Sequence, residues 1–85
     1  MSNYTIVLTK KAEKQLDKLP DNIAEPIIEA INDLADNPRP HGCKNLKNRD
    51  GYRIRIGDYR VIYEVFDDEL LIDVIQLGHR KDIYD

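Results

Sequence analysis

Residues 51–65 read GYRIRIGDYRVIYEV, two runs of alternating residues on either side of Gly57-Asp58. Strict alternation of this kind is typical of half-buried strands, and a glycine-containing dipeptide between two such runs predicts a two-residue hairpin turn. That turn pairs Ile56 with Tyr59 across an antiparallel sheet. The hairpin is the strongest element of the chain, and the rest of the fold is predicted around it.

All three arginines of this hairpin lie on one face of the predicted sheet, because side chains alternate along a strand. Arg55 pairs directly with Arg60, and Arg53 lies two residues away. Like charges placed opposite each other destabilise a sheet, and Asp58 in the turn is the one acidic residue beside them. Since guanidinium groups bind phosphate in pairs of hydrogen bonds, the pattern favours an anion site. The alternative is three arginines that only keep a solvent face soluble.

The remaining sequence predicts the element order β-α-α-β-β-β-β in a single domain, residues 1–85. The predicted elements are a strand at 4–9, a helix capped by Thr9 and ending near Leu19, a helix from about 22 to 36, a weak edge strand at 43–48, strands at 51–56 and 59–66, and a strand at 70–78. We expect an α+β fold in which both N-terminal helices pack on one face of a small, mainly antiparallel sheet.

Charge is unevenly distributed along the chain. The protein has 13 Lys and Arg against 16 Asp and Glu, a net charge of −3, which argues against a general nucleic-acid binder. Residues 39–60 nevertheless contain seven basic and two acidic residues, whereas residues 61–79 contain five acidic residues and no Lys or Arg. This asymmetry indicates a local anion site on a body that repels phosphate elsewhere.

Several kinds of protein are not expected from this composition. No apolar run reaches the length of a signal peptide or a membrane span, and the lone Cys43 is typical of a reducing compartment, so we expect a soluble, cytoplasmic protein. His41 and His79 are far apart in the sequence, and no acidic cluster shares the arginine face. We therefore expect neither a metal site nor a cofactor.

The C-terminal tail is predicted to reach the arginine face. If Asp67-Asp68 is the turn after the strand at 59–66, the last strand runs antiparallel to that strand and brings Leu77 near the Gly57-Asp58 turn. His79, Arg80 and Tyr84 would then approach the arginines. Simpler roles remain open, since Tyr84 could pack on the end of the sheet and His79 could satisfy a turn carbonyl.

Together these segments resemble a known family. GYRIRIGDYRVIYEV, the later LGHRKDIY, and the shorter LDKLP, ADNPRP and LKN are similar to the RelE/ParE superfamily of toxins from type II toxin–antitoxin systems. The resemblance covers nearly the whole chain and implies the RelE-like fold. Two activities occur in this superfamily: ribosome-dependent mRNA endonucleases and gyrase inhibitors.

Basic residues on the third strand, an arginine on the next strand, and an arginine and a tyrosine near the C-terminus imply the RelE-like activity. The matching residues here are Arg53, Arg55, Arg60, Arg80 and Tyr84. By this resemblance the protein is an mRNA interferase that cleaves mRNA in the ribosomal A site and inhibits translation. Arg60 and Arg80 would contact the scissile phosphate, and Tyr84 would stack on the splayed base. Arg53 and Arg55 would contact the mRNA backbone and stabilise the transition state.

One departure concerns the general base. RelE enzymes can carry lysines at the paired strand positions, where this chain has arginines, and an arginine stays protonated. His79 is our hypothesis for the proton acceptor, because an imidazole can take up a proton near neutral pH. Tyr84 and a ribosomal group remain alternatives.

The resemblance also implies partners. These are the ribosome with its mRNA and a RelB-like cognate antitoxin that holds the toxin in a hetero-oligomer. Lys44, Lys47 and Arg49 are candidates for contact with ribosomal RNA, or a solvated sheet edge. The alternative functions are a ParE-like gyrase inhibitor and a weakened toxin that only binds its antitoxin.

Overall fold

A computed structural model describes residues 3–47 and 49–83 of the chain. Its elements are β1 (Thr5–Leu8), α1 (Lys10–Asp17), α2 (Asp21–Asp33), β2 (Lys44–Asn45), β3 (Tyr52–Ile56), β4 (Tyr59–Phe66) and β5 (Leu71–His79). The predicted element order is confirmed. The strands form one sheet in the order β1-β5-β4-β3-β2, in which β1 runs parallel to β5 and all other neighbours are antiparallel.

Both helices begin where the sequence predicts, and both end earlier. The hydroxyl of Thr9 accepts a hydrogen bond from the backbone amide of Ala12 at 3.1 Å, which caps α1. The second helix follows Pro20, whose fixed φ suits the start of a helix. It ends at Asp33, three residues before its predicted end.

The two helices cover one face of the sheet, as predicted. The core between them consists of Ala12, Ile27, Ile31 and Leu34 from the helical layer and Ile54, Val61, Tyr63, Ile72, Val74 and Leu77 from the sheet. The predicted apolar face of the hairpin is confirmed, since its remaining members, Tyr52, Ile56, Tyr59 and Val65, pack against this core. None of the described helices is long and apolar enough to cross a membrane.

The turn between β4 and β5 differs from the prediction. A 3₁₀ turn at Asp67–Glu69, followed by Leu70 at a φ of 49°, replaces the expected two-residue turn and pairs Phe66 with Leu71. A further register shift occurs between Ile62 and Tyr63. As a result, Leu77 pairs with Val61 inside the sheet, and the prediction that it lies beside the hairpin turn is wrong.

The other face of the sheet carries a second, smaller apolar cluster that the sequence reasoning did not predict. Leu46, Ile62 and Ile83 are buried there, and Ile75 packs against them. The chain after β5 folds back across the sheet, and a Cβ on Gly78 would lie 3.1–3.2 Å from the side chain of Ile83. Gly78 therefore lets Ile83 lie closely against this face.

Candidate active site

The hairpin turn brings two arginines together. Gly57 has a φ of +60°, which a two-residue turn with glycine in its first position requires and which L side chains rarely adopt. The predicted register is confirmed: Ile56 pairs with Tyr59 and Arg55 with Arg60. The two guanidinium-bearing residues thus lie on neighbouring strands, on the face away from the helices.

A third arginine reaches the same place from the end of β5. The backbone amide of Arg80 donates to the carbonyl of Asp58 at 2.8 Å, which ties the C-terminal segment to the hairpin turn. Arg55, Arg60 and Arg80 line a cleft of about 50 Å³ together with Gly57 and Asp58. The cleft is small and open to solvent, and its three cationic side chains suit an anion such as a phosphate group.

Arg60 is the least exposed of the three arginines. One terminal nitrogen, Nη1, lies 3.4 Å from the carbonyl oxygen of Ile83, to which it donates. Its Nε is buried and has no hydrogen-bond partner among the described residues. A buried donor without an acceptor is rare in native proteins and calls for an explanation such as a bound ligand.

Arg53 lies elsewhere on the same face. It does not line the cleft, and only 9% of its surface is exposed. In the sheet it pairs with Ile62 on one side and with Lys44 on the other. The predicted position of Arg53 on the face of Arg55 and Arg60 is confirmed, whereas the third arginine that lines the cleft is Arg80.

His79 lies on the opposite face of the sheet. It pairs with Tyr59, and the two rings meet edge to face with centroids 5.5 Å apart, on the side that the helices cover. Its Nδ1 accepts a hydrogen bond from the backbone amide of Lys81 at 3.2 Å. The shifted register of β5 is the cause of this placement, so the structure does not bring His79 into the cleft. Tyr84, the remaining predicted site residue, lies outside the described residues.

The other predicted RNA-binding residues are spread along the sheet edge. Lys44 lies in β2 and Lys47 just after it, and both are exposed. Arg49 is also exposed and lines a separate groove of about 510 Å³ that contains Asp50 and Glu64 as well. No described contact assigns these three residues a role, and their contact with RNA stays a prediction.

Arg39 is one of the seven basic residues of segment 39–60, but it does not lie at the cleft. It belongs to a hydrogen-bond network at the far end of the sheet. It donates to Asp67 through both terminal nitrogens, at 2.8 and 3.3 Å, and to the hydroxyl of Tyr52 through Nε at 2.9 Å. Tyr4 also donates to Asp67, at 2.7 Å. The hydrogen bonds from Arg39 and Tyr4 lower the pKa of Asp67. The positive charge of Arg39 is therefore locally neutralised.

Asp58 is the member of the cleft that sequence reasoning missed as a site residue. It was interpreted only as a turn residue, although a two-residue turn necessarily places it next to the paired arginines. Among the described residues no group of three or more His, Cys, Asp or Glu side chains could hold a metal ion. The chemistry of the described cleft is thus that of three guanidinium groups and one carboxylate.

Sequence comparison identifies relatives along almost the whole chain. Residues 6–84 match the family model of the ParE toxin of the type II toxin–antitoxin system parDE. Toxin RelG of Mycobacterium tuberculosis is 32% identical, with 95% of each chain covered. The mRNA interferase toxin RelE of Escherichia coli K12 is 26% identical, with 92% of this chain and 84% of the relative covered.

Solved structures agree with these matches. The toxin–antitoxin complex RelBE2 of M. tuberculosis contains a chain with a TM-score of 0.82 and 30% identity, covering 96% of this chain and 97% of that one. The archaeal RelE–RelB complex of Pyrococcus horikoshii gives a TM-score of 0.79 at 29% identity, covering 95% and 99%. The fold, the family model and the relatives agree, and the chain belongs to the RelE/ParE superfamily of type II toxin–antitoxin toxins.

Proposed function

We propose that this chain is a ribosome-dependent mRNA endonuclease whose arginine cleft binds the scissile phosphate in the ribosomal A site. The observation that carries the proposal is the cleft itself. Arg55, Arg60 and Arg80 line one small cleft, and none of them has an ion pair to a described carboxylate. A phosphate oxygen bound there would accept hydrogen bonds from these guanidinium groups and would neutralise part of their charge.

The reaction that suits these residues is transfer of the phosphate to the neighbouring ribose hydroxyl. The 2′-oxygen of the mRNA attacks the adjacent phosphorus, and the bond to the 5′-oxygen of the next nucleotide breaks. The products are a 2′,3′-cyclic phosphate and a 5′-hydroxyl. Negative charge grows on the phosphorane oxygens, and arginines held by a sheet are donors already oriented toward it. This chemistry needs no metal ion.

Within the cleft, Arg60 and Arg80 are proposed to hold the scissile phosphate and Arg55 to stabilise the phosphorane. Arg53 is buried next to the cleft. We propose that it holds β3 in place and so helps to position the mRNA backbone without contacting it. Tyr84 is retained as the residue that stacks on a displaced base, because it directly follows Ile83, whose carbonyl accepts from Arg60.

The partners follow from the relatives. Solved relatives include RelE toxins in complex with RelB antitoxins, and we propose that this chain is likewise held inactive in the cytoplasm by a RelB-like antitoxin in a hetero-oligomer. Lys44, Lys47 and Arg49 would help it dock on ribosomal RNA. Because its net charge is −3, docking must depend on this local basic region. A plot of log affinity for ribosomes against log salt concentration should therefore have a slope of roughly −1 per phosphate contacted.

Primer extension on an mRNA in a translating extract tests this function. The purified protein is compared with Arg80→Ala, which removes a cleft guanidinium, and with Lys11→Ala, which removes an exposed charge from α1. We expect cuts within codons that require ribosomes, are lost in Arg80→Ala and persist in Lys11→Ala. Intact mRNA with the wild-type protein would overturn the proposal. Gyrase-dependent DNA breaks in a parallel assay would then indicate a ParE-like inhibitor.

A further inference from the structure

The proposed reaction needs a group that accepts the proton of the 2′-hydroxyl, and the arginines cannot do so. A guanidinium group stays protonated throughout the range in which proteins are folded. His79 is separated from the cleft by the sheet, and the nitrogen with which it could accept a proton, Nδ1, already accepts from the amide of Lys81. The cleft must therefore provide another base.

Of the described residues that line the cleft, Asp58 is the one whose side chain can accept a proton. It is the second residue of the Gly57-Asp58 turn, and its carbonyl accepts from the amide of Arg80, so the structure fixes its backbone between two arginine-bearing segments. Its carboxylate is exposed and forms no ion pair with Arg55, Arg60 or any other described residue. Asp58 thus lines the cleft together with three arginines, and its carboxylate has no ion pair to a described residue and is available to a substrate.

We propose that Asp58 is the general base of the reaction proposed above. Its carboxylate takes the proton from the 2′-hydroxyl while the 2′-oxygen forms its bond to phosphorus. The bond from phosphorus to the 5′-oxygen then breaks, and that oxygen takes a proton from solvent water. Arg55, Arg60 and Arg80 carry the charge of the phosphorane, and Asp58 afterwards returns its proton to water. This inference rests on the proposed endonuclease function and names the residue that completes it.

If Asp58 acted only as a turn residue, its replacement by asparagine would have a different effect from the loss of a general base. Aspartate is common in tight turns, and asparagine serves there equally well or better. Asp58→Asn therefore preserves the turn but removes the base. It also removes a negative charge next to the phosphate, so binding of mRNA should be unchanged or tighter while cleavage becomes slower.

The test uses ribosomes programmed with two versions of one mRNA. The first has ordinary ribose and reports the single-turnover cleavage rate, and the second has 2′-deoxyribose at the cleaved position and reports binding without reaction. The wild-type protein is compared with Asp58→Asn and with the matched control Asp36→Asn, which changes an exposed acid in the loop after α2. Cleavage is measured from pH 5 to pH 9.

For Asp58→Asn we expect cleavage about 10²–10⁴-fold slower, the usual contribution of general base catalysis, with equal or tighter binding. Cleavage within threefold of the wild-type rate, or an equal loss of binding and cleavage, would overturn the role of Asp58 and leave the endonuclease proposal intact. Absence of cleavage by the wild-type protein would overturn both proposals.

Discussion

The two ends of the sheet contain arginines in opposite situations. At the end that bears the β4–β5 turn, Arg39 donates to Asp67 and Tyr52, and Asp67 also accepts from Tyr4. At the end that bears the Gly57-Asp58 turn, Arg55 and Arg60 lie side by side without an ion pair to any described carboxylate. Arginine thus stabilises the fold at one end of the sheet and is available to bind a ligand at the other.

The difference separates an arginine with a structural role from a candidate for binding a ligand. The Arg39 guanidinium bonds to three protein oxygens and also lies 5.2 Å from the ring of Tyr52, so it needs nothing from outside the chain. Arg60 has one long contact with a protein carbonyl and a buried nitrogen with no described acceptor. An arginine whose donors are unsatisfied within the protein is the better candidate for a ligand contact.

Exchanging one arginine at each end for alanine should therefore separate activity from stability, and this is the largest effect we expect. Arg60→Ala should slow mRNA cleavage about 10²–10³-fold, because a fixed donor to the transition-state charge is lost. Arg39→Ala should leave cleavage within threefold of wild type and lower the melting temperature. Cleavage rates on programmed ribosomes and thermal unfolding of both variants provide the comparison. A loss of cleavage in Arg39→Ala equal to that in Arg60→Ala would remove the distinction between the two ends.

The hairpin end was predictable because its geometry is local. A two-residue turn fixes the register of β3 and β4, so the pairing of Arg55 with Arg60 follows from counting residues, and the structure confirms it. The alternation of Tyr52, Ile54 and Ile56 likewise identifies the face that the helices cover. Both inferences use only contacts between residues close in sequence.

The placement of β5 and of the tail was not predictable in the same way. A 3₁₀ turn with a left-handed Leu70 and a register shift next to Ile62 have no clear local signal, yet together they move His79 to the face away from the cleft. A register displaced by an odd number of residues exchanges the two faces of a strand. The burial of Ile83 over Gly78 depends on the same long-range pairing.

Ile83 belongs to the second apolar cluster, and its carbonyl also accepts from Arg60 of the cleft. Ile83→Ala should therefore lower both the stability of the fold and the rate of cleavage. Ile83 is 3% exposed, and truncating a buried isoleucine typically costs about 2–5 kcal/mol. We expect a value near the lower limit, about 2 kcal/mol, because the cluster is small. Urea unfolding measures this loss, and Ile28→Ala, which truncates an isoleucine that is 41% exposed, is the control.

Since the carbonyl of Ile83 also accepts from Arg60, cleavage should fall in the Ile83→Ala variant even under conditions where the protein is fully folded. Unchanged cleavage in a destabilised Ile83→Ala protein would mean that the tail stabilises the fold without positioning Arg60. The cleft would then be independent of the second apolar cluster.

At the other end of the sheet, Tyr63→Phe tests a buried hydrogen bond without changing any charge. The Tyr63 side chain is fully buried, and its hydroxyl donates to the carbonyl of Pro38 at 2.7 Å, which joins the loop after α2 to the sheet. Burial raises the pKa of this hydroxyl. Its removal should cost about 1 kcal/mol and lower the melting temperature by roughly 4–8 °C, with cleavage unchanged. A melting temperature equal to that of the wild type would show that the loop does not depend on this bond.

The smallest expected effect concerns the pH dependence of the Arg39–Asp67 contact. Hydrogen bonds from Arg39 and Tyr4 hold the pKa of Asp67 below its ordinary value of about 3.9. A carboxylate with a lowered pKa in the folded state stabilises the protein above its unfolded pKa, and that contribution disappears as the pH falls through the folded pKa. The melting temperature of wild type should therefore exceed that of Asp67→Asn at pH 7 by a small margin, and the margin should shrink below about pH 4.

High salt should reduce the same margin, because Asp67 and Arg39 are both largely exposed and screening weakens exposed ion pairs. Thermal unfolding at pH 7 and pH 3, each in low and high salt, measures both trends, with the exposed Asp68→Asn in the same turn as control. A margin that is independent of pH and salt would show that Tyr4 and Tyr52 position Arg39 without help from its charge. In that case the two ends of the sheet would differ in hydrogen bonding alone. The arginines of the cleft would then be distinguished by donors that lack protein acceptors, and not by the lack of an ion pair.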